Sequence, residues 1–234
     1  MFKLTSSVLA ANFLPLLAAK LDLTEITTII SWIAVGVMAL LIVLLCVFSK
    51  KLSTRTIVMA GICIAASFGL SYLKISPVNN GGSVTAASLV PLLIFSCMYG
   101  FFPSLLAGII YGLLQFLQSP WVLTPFTFLL DFVLAFSPIC VVGAIKDTTK
   151  NNNFALLGGT AIFFAIRFIM HFASGIIYFE HGAIYTTLPQ SSAFVYSLLY
   201  QVVYIVPDFL INFIVILILL KTKTYDKLEK IGLK

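Results

Sequence analysis

Charged side chains are scarce in this chain: 14 Lys and Arg and 8 Asp and Glu stand among 234 residues, of which 61% are hydrophobic. A soluble domain needs far more polar surface to cover its core, so that class is excluded. No GxxxxGK[ST] occurs, which rules out ATP hydrolysis by the P-loop route. HExxH and CxxC are missing too, and His171 and His181 alone are weak grounds for a metal. Cys46, Cys63, Cys97 and Cys140 lie in apolar runs without ligand spacing and read as small core residues. The run Gly81-Gly82-Ser83 lacks the last glycine of a nucleophile elbow, so no hydrolase is indicated. Short alternating strands of the kind that build a barrel are not evident.

Long apolar runs fill the space these absences leave. A helical span takes roughly 20 apolar residues, and runs of that kind lie near 26–48, 56–75, 84–100, 103–118, 123–145, 154–179 and 193–220. The expected fold is an all-α integral membrane protein. The polar stretch Ser49–Arg55 divides it into a lead-in with one accessory transmembrane helix (1–53) and a six-helix body (54–234). Phe2–Ala19 reads as an interfacial lead-in rather than a cleaved signal peptide, because Asp22, Glu25 and a full-length span follow it. Lysine and arginine collect at Lys50, Lys51 and Arg55, at Lys146 and Lys150, and at Lys221, Lys223, Lys227, Lys230 and Lys234. Threading seven helices brings all three groups to one side, the cytoplasm, with the N-terminus outside.

Four ionisable residues sit within the apolar runs: Asp131, Arg167, His171 and Asp208. A charge in lipid costs kilocalories, so such residues face a bundle interior or a polar cavity and mark function by default. Arg167, His171, Ser174, Gly175 and Tyr178 recur at intervals of three and four and share one helix face. Trp121, Phe126, Phe128 and Phe132 surround Asp131 in sequence, and Tyr196, Tyr200, Gln201 and Tyr204 lead down the last helix to Asp208. A carboxylate, an imidazole, an amide, hydroxyls and aromatic faces on three helices suit a flat, hydrogen-bonding, cationic ligand. Gly175 would let a ring approach the backbone. Arg167 and Asp208 read equally as a structural ion pair or as ligand contacts.

Four stretches carry a family likeness: Pro77–Pro91, YGLLQFLQSPWVLTPFTFLLDFVLAF (Tyr111–Phe136), RFIMHFASGIIYF (Arg167–Phe179) and VYSLLYQ (Val195–Gln201). In order and spacing across 54–234 they resemble the thiamine-specific substrate-binding component (S component) of energy-coupling factor transporters. The resemblance implies a six-helix vitamin-capture subunit, not an enzyme and without a cofactor. Its pocket would open near the outer face of the plasma membrane and close under the loop that holds Asn79, Asn80, Gly81 and Gly82. Such subunits dock on a transmembrane coupling protein and two cytoplasmic ATPases, then topple to release the vitamin. The family's ligand contacts fall on Trp121, Asp131, Phe132, His171, Gly175, Phe179, Tyr196 and Gln201, with Arg167 and Asp208 as a supporting pair. The acidic residue would bond the aminopyrimidine, the His and an aromatic would flank the thiazolium, and the Tyr and amide would complete the polar contacts.

This chain departs from the family pattern at four of those positions. Asp131 replaces Glu, Phe132 replaces Tyr, Phe179 replaces Trp and Gln201 replaces Asn. The first choice of ligand is thiamine; a pyrimidine-bearing precursor or another flat vitamin is the rival. A self-sufficient proton-coupled carrier, with the four ionisable residues as a relay, and a purely structural membrane subunit are the alternatives of other classes. In the first body helix Gly61 and Ala65 form a small-xxx-small pair that admits a second helix. The resemblance puts the coupling-protein contact there.

Overall fold

The computed structural model describes residues 52–77, 82–180, 182 and 191–233, together with Ile33 and Gly36. The expected accessory helix at 26–48, and most of the loops at 76–83 and 180–192, lie outside the described residues. By packing, the chain divides into Met1–Phe48 with Thr124–Phe126, and Ser49–Leu123 with Thr127–Lys234. The second unit carries the elements numbered here from Thr54. Among the described residues five helices are long and apolar enough to cross a membrane.

Helix α1 (Thr54–Ser71) starts at a capping serine, whose Oγ accepts the Thr56 N–H at 3.1 Å. It stops at Ser71 rather than running to 75, and Lys74–Pro77 forms strand β1. The apolar run 84–100 is likewise not one span. Ser83–Thr85 is strand β2, antiparallel to β1 with Pro77 opposite Ser83 and Lys74 opposite Thr85, and only Val90–Tyr99 is helical (α2). Ala87 is left-handed (φ 56°) and Pro91 occupies the first turn, so the helix does not extend backward. The orphan N–H of Leu89 goes to Asn212 Oδ1 at 3.1 Å. Leu92, Leu93 and Phe95 are all fully buried. The continuous apolarity of α2 therefore reports burial on every side.

A turn at Gly100 (φ 82°) leads into α3 (Phe101–Gln118). Helix α4 spans Pro125–Thr149 and is not regular throughout. Within it lie a π segment, Leu129–Val133, and a 3₁₀ turn at Ser137–Ile139. Two glycines one turn apart on α3 accommodate that irregular backbone. A Cβ on Gly108 would stand 2.6 Å from the Phe136 carbonyl oxygen, and one on Gly112 would collide with the Phe132 carbonyl. Main chain thus packs on main chain, as small residues in membrane helices permit.

Helices α5 (Asn152–Glu180) and α6 (Ala193–Lys221) are the two longest elements and pack along one another. Val203, Leu210, Ile214 and Ile218 form an exposed apolar row on α6, the mark of a lipid-facing side. After Lys223 the chain forms an unforeseen helix, α7 (Thr224–Leu233), with Tyr225 buried and its hydroxyl donating to Cys97 Sγ at 3.3 Å. In the sequence this stretch stands out only as a group of tail lysines. Its face and composition still follow helical rules, since Tyr225 and Glu229 are one turn apart on the covered side.

Gly112→Leu is expected to destabilise the protein by about 1–3 kcal/mol or more through overpacking, read as a lower thermal midpoint in detergent. Gly158→Ala is the control, because its Cβ meets nothing closer than the Phe154 ring at 3.8 Å. An equal fall in both variants would remove the special role assigned to the α3–α4 contact.

Candidate functional site

The π segment of α4 presents Asp131 toward α5. There Ser174 Oγ donates to Asp131 Oδ2 at 2.6 Å, and His171 Nδ1 lies 2.9 Å from Asp131 Oδ1. A carboxylate can only accept, so the bond requires the imidazole proton on Nδ1. That leaves Nε2 as the ring's second polar atom, buried and without a hydrogen bond among the described residues. Single π-turns recur at functional sites because they re-aim side chains within a helix. Here the turn brings one carboxylate against two residues that lie on a single face of the next helix.

A cavity of about 110 Å³ opens beside this pair. Of the eight residues expected to contact a ligand, Trp121, Asp131, Phe132, His171, Gly175, Tyr196 and Gln201 line it. Phe179 stands one layer back, its ring 5.4 Å from that of Tyr196. Phe132 packs between the Phe116 and Phe128 rings at 5.3 and 5.8 Å. The space left by Gly175 is occupied from α6, where Ser197 Oγ and Gln201 Nε2 close on the position of its missing Cβ. What approaches the backbone at Gly175 is thus helix α6. Gln201 is positioned by its own bond, Nε2 donating to the His171 carbonyl at 3.1 Å, while Oε1 is buried and unbonded among the described residues.

Beneath the cavity lies an ion pair. Arg167 Nη1 donates to Asp208 Oδ2 at 3.0 Å, and Asp208 Oδ1 accepts from Thr85 Oγ1 at 2.9 Å and from Thr85 N–H at 3.2 Å. The guanidinium also lies over the Phe136 ring, 4.8 Å from its centroid. Arg167 has a foot in both roles that the sequence left open, because it lines the cavity as well as pairing with Asp208.

The β hairpin closes the site on one side. Gly82 N–H donates to Tyr200 Oη at 3.1 Å, and Gly82 and Ser83 line the cavity; Asn79, Asn80 and Gly81 lie outside the described residues. Tyr178 Oη donates to the Trp121 carbonyl at 3.1 Å, holding the stretch between α3 and α4 to the top of α5. Gln115 on α3 also lines the cavity, with Nε2 buried and unbonded among the described residues. Sequence reasoning passed over Gln115, although an amide inside the apolar run 103–118 was the signal that could have found it. On α1, Gly61 and Ala65 are exposed, and a Cβ on Gly61 would meet nothing within 4 Å.

Comparison with known proteins follows this geometry. A family model described as "Thiamine transporter protein" matches residues 57–228. The thiamine transporter ThiT of Bacillus subtilis (strain 168) is 28% identical over 153 residues, covering 61% of this chain and 77% of that protein. A solved structure of ThiT from Listeria monocytogenes superposes with a TM-score of 0.59 over 71% of this chain and 93% of that one, at 22% identity, a likeness of fold.

Removing one member of a buried ion pair leaves the other uncompensated, at a cost of about 3–5 kcal/mol. Asp208→Leu is therefore expected to lower the thermal midpoint in detergent sharply, and Arg167→Met combined with Asp208→Leu to recover much of the loss. A double variant less stable than Asp208→Leu would show that the pair is not the source of the effect.

Proposed function

The chain belongs to the thiamine transporter protein family, a multi-pass membrane transporter rather than an enzyme, and from that premise we propose that it captures thiamine as the S component of an energy-coupling factor importer. The observation that carries the reading is the Asp131–His171 pair, 2.9 Å apart on the wall of a cavity shared with Trp121, Tyr196 and Gln201. Each carboxylate oxygen has two lone pairs, so Asp131 can hold His171 and Ser174 and still accept from the amino group of an aminopyrimidine. The aromatic walls suit a flat cationic ring. His171 Nε2, Gln201 Oε1 and Gln115 Nε2 provide the remaining polar partners that such a ligand would satisfy.

Delivery would proceed by docking residues 54–234 on a transmembrane coupling protein served by two ATPases. The exposed Gly61 and Ala65 of α1 are the contact we assign to it, flanked by exposed Ile57, Val58 and Ile62. The protein would sit in the plasma membrane with its lysine-rich end toward the cytoplasm and its N-terminus outside. Residues 1–53 would form the accessory part. Gly82, with Asn79, Asn80 and Gly81, would close the pocket from outside.

Calorimetry on the detergent-purified chain against thiamine, its pyrimidine half and its phosphates tests the ligand. Tight thiamine binding is expected, weakened about tenfold to a hundredfold by Asp131→Asn, the scale of one hydrogen bond to a charged group. Binding of some other vitamin in place of thiamine would overturn the ligand, and an unaffected Asp131→Asn would overturn the carboxylate's role. Gly61→Leu is expected to abolish uptake in cells holding the coupling protein and ATPases while sparing binding; unchanged uptake would reject the docking face. The chain reconstituted alone should move no thiamine down a pH gradient, and transport there would point to a proton-coupled carrier instead.

A further inference from the structure

Helix α7 is tied to the ends of four other helices. Tyr225 reaches Cys97 near the C-terminal end of α2, and Glu229 Oε2 accepts from Asn152 Nδ2 at 3.0 Å at the start of α5. Lys146, in the last turn of α4, lies 3.8 Å from Glu229, and Arg55 at the start of α1 donates to the Ile231 carbonyl. Since α6 ends at Lys221, all these contacts lie at one end of the bundle. A helix that touches the ends of α1, α2, α4 and α5 runs across them, in the plane of one membrane surface.

Its uncovered side is amphipathic. Leu228 and Ile231 are exposed and three residues apart, and beside them run exposed Lys227 and Lys230, also three apart. Lys221 and Lys223, just before the helix, are exposed as well; Asp226 is the exposed acid on the helix, while Glu229 is engaged with the bundle. Exposed apolar side chains flanked by lysines, directly after a transmembrane span, match the interfacial helices that lie at the headgroup boundary. Lysines there gain from the negative surface potential of anionic leaflets.

We propose that α7 is an anionic-lipid-binding interfacial helix. Leu228 and Ile231 insert at the acyl boundary, and Lys221, Lys223, Lys227 and Lys230 engage phosphate headgroups of the same leaflet. Tyr225 and Glu229 hold the helix to the bundle, so lipid contact on one side is coupled mechanically to the ends of α1, α2, α4 and α5 on the other.

Two measurements on the full chain test this. In native mass spectrometry from an equimolar mixture of phosphatidylglycerol and phosphatidylcholine, the chain should retain phosphatidylglycerol preferentially. The triple variant Lys223→Gln, Lys227→Gln, Lys230→Gln should retain about a hundredfold less at an unchanged thermal midpoint, because these side chains are exposed. In nanodiscs, the added fluorescence of Ile231→Trp over the parent chain, which already holds Trp32 and Trp121, should be quenched by brominated phosphatidylglycerol and shielded from iodide. No preference between the two lipids, or a triple variant that retains phosphatidylglycerol like its parent, overturns the headgroup contact. Quenching by iodide without quenching by brominated lipid opens the face to water and gives it to a soluble partner instead.

Discussion

The carboxylate of Asp208 is the point on which the rest of the described structure hangs. It is 1% exposed within a bundle that faces lipid, where an unpaired charge cannot persist. Its partners therefore have to be supplied by whatever surrounds it, and they come from two different elements: Arg167 of α5, and the backbone and hydroxyl of Thr85 in β2. Satisfying one carboxylate joins the two longest helices and pins a strand against them. The Asn212 side chain, one turn further along α6, repeats the device by accepting the N–H of Leu89 at the start of α2. With Asp208 and Asn212 occupied in this way, the hairpin and α2 are fixed to α6, and Gly82 is held within reach of Tyr200.

From that floor the site is built upward along α5. Arg167 and His171 are one turn apart, so the guanidinium that meets Asp208 below sets the depth at which the imidazole stands above. The opposing carboxylate belongs to α4, whose ladder is broken there by the π segment, and the break is tolerated because Gly112 of α3 lets the Phe132 carbonyl come against its backbone. Two carboxylates thus have two different environments. Asp208 is wholly enclosed by the bundle's own donors, whereas Asp131 is shared between His171, Ser174 and an open cavity.

Much of this was legible in the chain, and for a physical reason. Apolar runs of span length, ionisable residues inside them and three-and-four spacing all report on a single helix, so α1, α3, α4, α5 and α6 and the face Arg167–Tyr178 could be read directly. The run 84–100 misled only as to where its helix begins, because apolarity alone does not separate the short strand Ser83–Thr85 from the helix that follows it. Pro91 and the polar pair Thr85 and Ser88 were the local marks that it begins late. The π segment left no signature in periodicity, since one added residue in a turn shifts the face without altering the hydrophobic run. The filling of the space at Gly175 depends on α6, and no feature of α5 alone could reveal it.

Seen this way, the departures from the resembling family at the site have a structural context. Asp131 is one methylene shorter than Glu, yet both of its oxygens reach α5, at 2.9 Å from His171 and 2.6 Å from Ser174. Its orientation is fixed at both oxygens before any ligand is considered, which limits the rotamer freedom that ligand binding would have to remove. Phe132, without the hydroxyl of a Tyr, packs its ring against Phe116 and Phe128 while lining the cavity. Gln201 uses its extra length to donate to the His171 carbonyl and keeps Oε1 unbonded. Three polar side chains of the cavity wall thus form a coupled set, Asp131 with His171 and His171 with Gln201, and a change at any one of the three is felt by the others.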